Sequence, residues 1–278
     1  MDYIELNIRY SCEEQAEILT AELAEYPFES FVTEDGVLKG YIPQERMVDC
    51  KGAVDALLSS YGVEDVRYIS IETQNWNAQW ESNFERVEVG DKLLIRAPFH
   101  PSDSSFAREV VIMPKMSFGT GHHATTHLMA EWTIDLGEQL NGAKVLDMGS
   151  GTGVLAIVAI KEGADSADAV DIDEWAKENC EENIVVNGVA ERVRAILGDV
   201  RSVGGESYGV ILANINRNIL IADMAAYSKM LTAGGVLLIS GFLTQDIESL
   251  KARGAECGLT FIEYRERNGW VAMRLQKR

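Results

Sequence analysis

The sequence predicts an α/β protein built on a doubly wound, mostly parallel sheet that ends in an antiparallel hairpin, preceded by a small α+β unit. Three observations predict it. From residue 144 onward short apolar runs alternate with helical stretches, the chain closes on two extended runs with no room for a crossover helix, and residues 3–73 follow a different rhythm.

In that first segment, 3–10 alternates apolar and polar residues, 12–26 places Ala16, Leu19 and Leu23 at helical spacing, and 29–34 and 37–42 are extended runs joined at Asp35-Gly36. Residues 45–60 are again helical, Tyr61-Gly62 can end that helix, and 66–73 alternate as a strand. The order β-α-β-β-α-β predicts a ferredoxin-like split unit over 1–73. Residues 74–115 are irregular: Trp76 and Trp80 sit at i, i+4, extended segments follow at 86–97 and 108–113, and Pro98, Pro101 and Pro114 punctuate them. They are expected to be a connector plus the entry to a second domain, whose body spans 116–278. There, 144–148, 167–171, 192–197, 208–213 and 235–240 read as strands, and 258–266 and 270–276 as a hairpin turning at Asn268-Gly269.

Composition narrows the function. The 278 residues hold 25 basic and 44 acidic side chains, a net charge of −19, which argues against nucleic acid as a direct partner. Residues 1–70 alone hold 15 acidic and 5 basic side chains. Such a segment suits a basic partner, and it equally suits a solvated surface kept for solubility. No apolar run reaches the ~18 residues of a membrane span, and the start lacks a positive n-region. Cys12, Cys50, Cys180 and Cys257 are far apart, as reduced thiols would be. A cytoplasmic chain with no membrane anchor and no metal is expected.

The chemistry gathers at strand ends. Lys144 to Asp147 runs into Met148-Gly149-Ser150-Gly151-Thr152-Gly153 and then a helix. The dinucleotide fingerprint needs glycine at position 154, where Val154 stands, so a diphosphate clamp is disfavoured; a tight turn packing helix on strand would use the same glycines. Asp147 beside this loop would repel a diphosphate and attract a ligand carrying an ammonium or sulfonium, as S-adenosylmethionine does. Asp171, 24 residues later at the next strand end, suits two ribose hydroxyls of either nucleoside cofactor, and Asp173 suits a helix N-cap. Asp199 follows the third strand and can face an adenine amino group. Asn214 ends the fourth, where its amide oxygen can accept from an amine, unless it caps the helix that begins near Arg217. His122, His123 and His127 lack the Glu and Cys of a zinc site and read as packing residues or a proton relay.

One segment carries a family resemblance. Met116-Ser117-Phe118-Gly119-Thr120-Gly121-His122-His123-Ala124-Thr125-Thr126-His127 resembles the F-G-T-G-T-H-P-T-T segment of the ribosomal protein L-eleven methyltransferases (PrmA), with His122 in place of Thr and Ala124 in place of Pro. The likeness runs on through Asp147 to Gly153, with Ser150 in place of Cys, through Ile172-Asp173, Asn187-Gly188 and Ala213-Asn214-Ile215, and covers roughly 75–241. The resemblance implies a Rossmann-like S-adenosylmethionine-dependent methyltransferase that modifies the N-terminal amine and lysines of a large-subunit ribosomal protein. It implies cofactor contacts from Thr126, Gly149, Asp171 and Asn214, and a loop containing Phe118 and Gly119 that closes on the cofactor. Gly151, Asp147 and Asp199 complete the expected cofactor site, Asn214 doubles as the residue that positions the amine, and the acidic N-terminal domain is expected to dock the basic ribosomal substrate. Transfer to another protein or a small amine, and nicotinamide-dependent oxidoreduction on the same kind of sheet, remain the alternatives.

Overall fold

The structure is a computed structural model that describes residues 2–71, 84–115 and 117–278. The chain divides into two compact units, residues 1–83 and 84–278. Trp76, Trp80 and Met116 lie outside the described residues.

The first unit runs β1 (Tyr3–Arg9), α1 (Glu13–Leu23), β2 (Ser30–Glu34), β3 (Val37–Pro43), α2 (Gln44–Ser60) and β4 (Val66–Ile71), and its sheet has the order β2-β3-β1-β4 with every pairing antiparallel. Period-2 alternation decides which face is covered. Leu6 and Ile8 of β1 oppose Gly40 and Leu38 of β3, and they share a core with Leu19 and Leu23 of α1 and Val54 and Leu58 of α2. The β2–β3 turn places Asp35 and Gly36 at φ +51° and +74°, the geometry a two-residue hairpin of this twist requires.

The second unit opens on a three-stranded sheet, β5 (Val87–Val89), β6 (Leu93–Arg96) and β7 (Arg108–Val111). Residues 84–115, read from sequence as connector and entry to the second domain, fall within its compact unit. Val89, Leu93, Ile95 and Val110 belong to the same core as the helices of the large sheet. Asn187 grips β7 through both ends of its amide, donating to the Val111 carbonyl at 2.6 Å and accepting from the Val111 N–H at 2.9 Å.

The remaining elements are α3 (Ala124–Asp135), β8 (Lys144–Met148), α4 (Val154–Lys161), β9 (Ser166–Asp171), α5 (Glu174–Val186), β10 (Val193–Leu197), β11 (Tyr208–Asn214), α6 (Arg217–Met230), β12 (Leu231–Leu243), α7 (Ile247–Glu256), β13 (Leu259–Arg267) and β14 (Trp270–Lys277). The sheet order is β10-β9-β8-β11-β12-β14-β13, parallel through β12 and antiparallel in its last two pairings. The strands read as unbroken apolar runs because both faces are covered: Val210, Leu212, Val236 and Leu238 enter one core, and Ile211, Leu237 and Ile239 enter the other.

The closing hairpin turns at Asn268 and Gly269, both at positive φ. Its second strand, not its first, inserts beside β12. Composition explains the choice: β14 brings the buried Val271, Ala272, Met273 and Leu275, while β13 carries Glu263, Arg265, Glu266 and Arg267 along the free edge. The strand order reverses at β8, which has β9 on one side and β11 on the other. That reversal opens a crevice beyond the carboxyl ends of the strands.

Candidate active site

At that crevice lies a cavity of about 480 Å³, within the size range of small-molecule sites. Of the residues singled out from sequence, Phe118, Gly149, Gly151, Asp171, Asp199 and Asn214 line it, and four carboxylates in all face it: Asp171, Asp173, Asp199 and Asp223. No lysine, arginine or histidine is among the lining residues. A dinucleotide diphosphate finds no cationic partner there, and a ligand bearing an ammonium or sulfonium finds a favourable field.

The glycine loop has its residue types for a reason the sequence did not disclose. Gly149 and Gly151 take φ of +71° and +52°, and a Cβ on either would strike protein rather than ligand: the Ile215 side chain in one case and the Phe118 carbonyl in the other. Loop packs on loop. The ligand-facing surface is what remains once that packing is made.

Asp171 holds this loop from below. Its Oδ2 accepts from the Gly151 N–H at 2.8 Å and its Oδ1 from the Asp173 N–H at 3.0 Å, and the carboxylate still borders the cavity. Asp173 caps α5 by accepting from the Trp175 N–H at 2.8 Å, as its position suggests.

Asn214 is not a helix cap; Asn216 fills that role by accepting from the Ile219 N–H. The Asn214 amide nitrogen donates instead to Thr126 Oγ1 at 3.3 Å, and Thr126 is buried on α3. Thr126, expected as a cofactor contact, is not among the lining residues; it meets the cavity wall through Asn214.

Besides Thr126, three residues expected at the cofactor sit differently. Asp147 is wholly buried and does not line the cavity. Its Oδ2 accepts from the Ala156 N–H at 3.0 Å, in the first turn of α4, because Gly153 at the N-cap offers no side chain; its Oδ1 has no hydrogen-bond partner. Burial, with the nearby Asp171 adding repulsion, pushes its pKa up to about 7. Gly119 packs on Thr152 and is likewise absent from the lining. Asp199 borders the cavity, but Arg201 chelates its carboxylate at 2.9 and 3.1 Å through Nε, and it also caps the short turn at 200–203. That pairing holds the Asp199 carboxyl below its ordinary pKa.

The histidines pack. His123 caps α3 through Nδ1, which accepts from the Thr125 N–H at 3.3 Å and lies 2.8 Å from Thr125 Oγ1. Its ring lies between Phe118 at 5.3 Å and Trp270 at 4.8 Å. His122 reaches Thr120 and the Glu85 carbonyl, and burial lowers the pKa of His127. Sequence reasoning missed Ile172, Trp175, Ile219 and Asp223 as cavity residues. Exposed apolar side chains at 172 and 175 directly after an acidic strand end were the available signal.

A profile of the family described as ribosomal protein L11 methyltransferase (PrmA) matches residues 7–278. The chain belongs to this family. A ribosomal protein L11 methyltransferase of Porphyromonas gingivalis is 45% identical over 264 residues, which is 93% of this chain and 89% of the relative. One from Bacteroides fragilis is 37% identical over 282 residues, 99% of both chains. In fold, the chain is similar to the crystal structure of a ribosomal protein L11 methylase from Lactobacillus delbrueckii subsp. bulgaricus, with TM-score 0.64 and 23% identity over 70% of this chain and all of that one. Membership in PrmA makes the chain a methyltransferase whose methyl donor is S-adenosylmethionine. The acidic, cation-free cavity fits that donor's charge.

Proposed function

We propose that this chain transfers methyl groups from S-adenosylmethionine to amino groups, the N-terminal amine and lysine side chains, of ribosomal protein L11. The observation that carries the reading is a PrmA-family chain whose strand-end cavity presents four aspartates, no cation, and an asparagine amide held from behind. When bound, S-adenosylmethionine supplies a methyl carbon made electrophilic by its sulfonium.

The chain's own residues hold and align. Asp171 takes the ribose hydroxyls, the Gly149–Gly151 backbone borders the donor, Phe118 covers it, and Gly198 and Asp199 bound the adenine end. Asp147 braces the loop from beneath through the first turn of α4, out of contact with the donor, and adds negative charge there only as pH rises past about 7. Asn214 Oδ1 accepts a hydrogen bond from the substrate amine, with Thr126 fixing the rotation of the amide. Most of the acceleration then comes from alignment in a site with little water. The amine must arrive neutral, so an α-amine with pKa near 7.7–8.0 reacts more readily at pH 7 than a lysine near 10.4.

In this reading residues 1–73 dock the basic substrate through their acidic surface, 116–278 carry the transfer, and the reaction runs in the cytoplasm. Among the described residues no helix is long and apolar enough to cross a membrane.

The test incubates the pure protein with methyl-labelled S-adenosylmethionine and unfractionated ribosomal proteins. One labelled band, lost in Asn214→Ala, is the expected result. Absence of label from every ribosomal protein refutes the substrate while leaving the donor intact.

A further inference from the structure

Two buried residues, neither of them lining the cavity, join the glycine loop to the loop that roofs it. Thr152 Oγ1 donates to the Gly119 carbonyl at 2.7 Å, and the Thr152 N–H donates to the Phe118 carbonyl at 2.9 Å. Asn183 on α5 then secures both sides of this contact. Its Nδ2 donates to the Thr152 carbonyl at 2.9 Å, and its Oδ1 accepts from the Met113 N–H at 2.8 Å, just upstream of the roof. Both residues are 0% exposed.

The fit is close enough that a Cβ on Gly119 would lie 2.7 Å from the Thr152 hydroxyl. Phe118 is thus anchored by its backbone, while the residue, 52% exposed, lines the cavity.

We propose that Thr152, backed by Asn183, is a positioning residue that latches the Phe118 loop over the donor cavity and so sets the affinity for S-adenosylmethionine. The inference rests on the proposed use of the cavity. The physical argument is one of populations. Without the hydroxyl, the Gly119 carbonyl loses a buried donor, the loop spends more time away from Thr152, and apparent affinity falls by the fraction of time it is closed. At saturating donor, binding restores the closed state, so the rate of transfer is spared. A residue that served only the fold would lower stability without this separation.

The test compares wild type, Thr152→Val and Thr152→Ser by calorimetric binding of S-adenosylhomocysteine, with steady-state kinetics and thermal unfolding alongside. Thr152→Val is expected to weaken binding about tenfold and to raise the KM for S-adenosylmethionine equally, with kcat within about twofold of wild type. Thr152→Ser keeps the hydroxyl and is expected to bind within about twofold of wild type. Should Thr152→Val not fold, Gly119→Ala, which forces the loop off the hydroxyl from its own side, is expected to weaken binding in its place. Wild-type affinity in the valine or alanine variant overturns the latch, as does a serine variant as weak as the valine one. A wild-type protein that binds no S-adenosylhomocysteine overturns instead the proposed use of the cavity, and the latch with it.

Discussion

The N-terminal segment and the rest of the chain carry nearly equal charge, −10 over residues 1–70 and −9 over 71–278, and use it in opposite ways. On α1, Glu13, Glu14, Glu17 and Glu22 are exposed, and among the described residues no lysine or arginine pairs with any of them. In the second unit the decisive carboxylates stand at strand ends, each with a named partner: Asp147 with the first turn of α4, Asp171 with the glycine loop, and Asp199 with Arg201. The difference teaches that acidic count says little until geometry is known. A carboxylate on a solvated helix acts through a field that salt screens within about 8 Å, whereas one at a strand end acts by contact, which salt hardly touches.

The largest effect expected from this contrast is at Asp171. Asp171→Ala removes the acceptor for the Gly151 N–H and, if the proposed function holds, for the donor's ribose as well; charge-assisted bonds of this kind are worth roughly 1.5–3 kcal/mol each. Binding of S-adenosylhomocysteine should weaken about 100-fold, equally at low and high ionic strength. A loss that grows or shrinks steeply with salt would mean that Asp171 acts as part of a field, and the contrast would fail.

The next effect is on stability, at Asp147. Its folded pKa is raised from 3.8 to about 7, so the folded chain keeps a proton that the unfolded chain releases near 4. The sign follows: the favourable contribution is complete below about pH 4, is lost as pH rises toward 7, and above that leaves a penalty on the order of 2–4 kcal/mol. Asp147→Asn carries no such charge. It should therefore gain on the wild type as pH climbs from 4 to 7 and hold the gain above, read as the urea midpoint across that range. Parallel stability curves for the two proteins would show that the buried carboxyl is not the source. Donor binding to the same variant separates the second role: it should match wild type below about pH 7, where the wild-type carboxyl is neutral too, and weaken for a cationic ligand only above it, although Asp147 does not line the cavity.

The legibility of the chain follows the same division. The strands of the parallel sheet were readable as short apolar runs alternating with helical stretches, and the polar residues that end two of them, Asp171 and Asn214, both border the cavity. The hairpin was readable too, but not that its second strand inserts inward. That choice depends on which strand can be buried, and it becomes visible only when the charges of β13 are set against the apolar β14. Residues 86–113 gave weak signals because their strands are only three or four residues long and are held by Asn183 and Asn187 from a helix some 70 residues away. Asp147 looked like a ligand residue because spacing places it beside the loop. Spacing does not say on which side of the sheet's end a side chain lies, and here it turns under α4. Glycines 149 and 151 looked like a ligand's clearance and are a neighbouring loop's.

The smallest expected effect tests the other half of the comparison. Changing Glu13, Glu14 and Glu17 of α1 to glutamine leaves helix length and shape alone, since all three side chains are exposed and none is paired with a cation among the described residues. Glu13 and Glu14 do lie in the first turn of α1, where negative charge interacts favourably with the helix dipole, so a stability loss of about 0.3–1 kcal/mol should accompany the change. If this surface attracts a basic ribosomal protein, the KM for that protein should rise about three- to tenfold at 50 mM salt, mainly through slower encounter, with kcat and the affinity for S-adenosylhomocysteine unchanged. At 500 mM salt, wild type and variant should converge, because screening does to the wild type what the substitutions did to the variant. A KM that ignores both salt and the three substitutions would leave the N-terminal charge as a solubility device and move substrate recognition to other residues. A KM that responds to salt but not to the substitutions would keep the electrostatic argument and shift it to another face of the unit, such as Glu45 and Asp49 of α2, which also stand without cationic partners among the described residues.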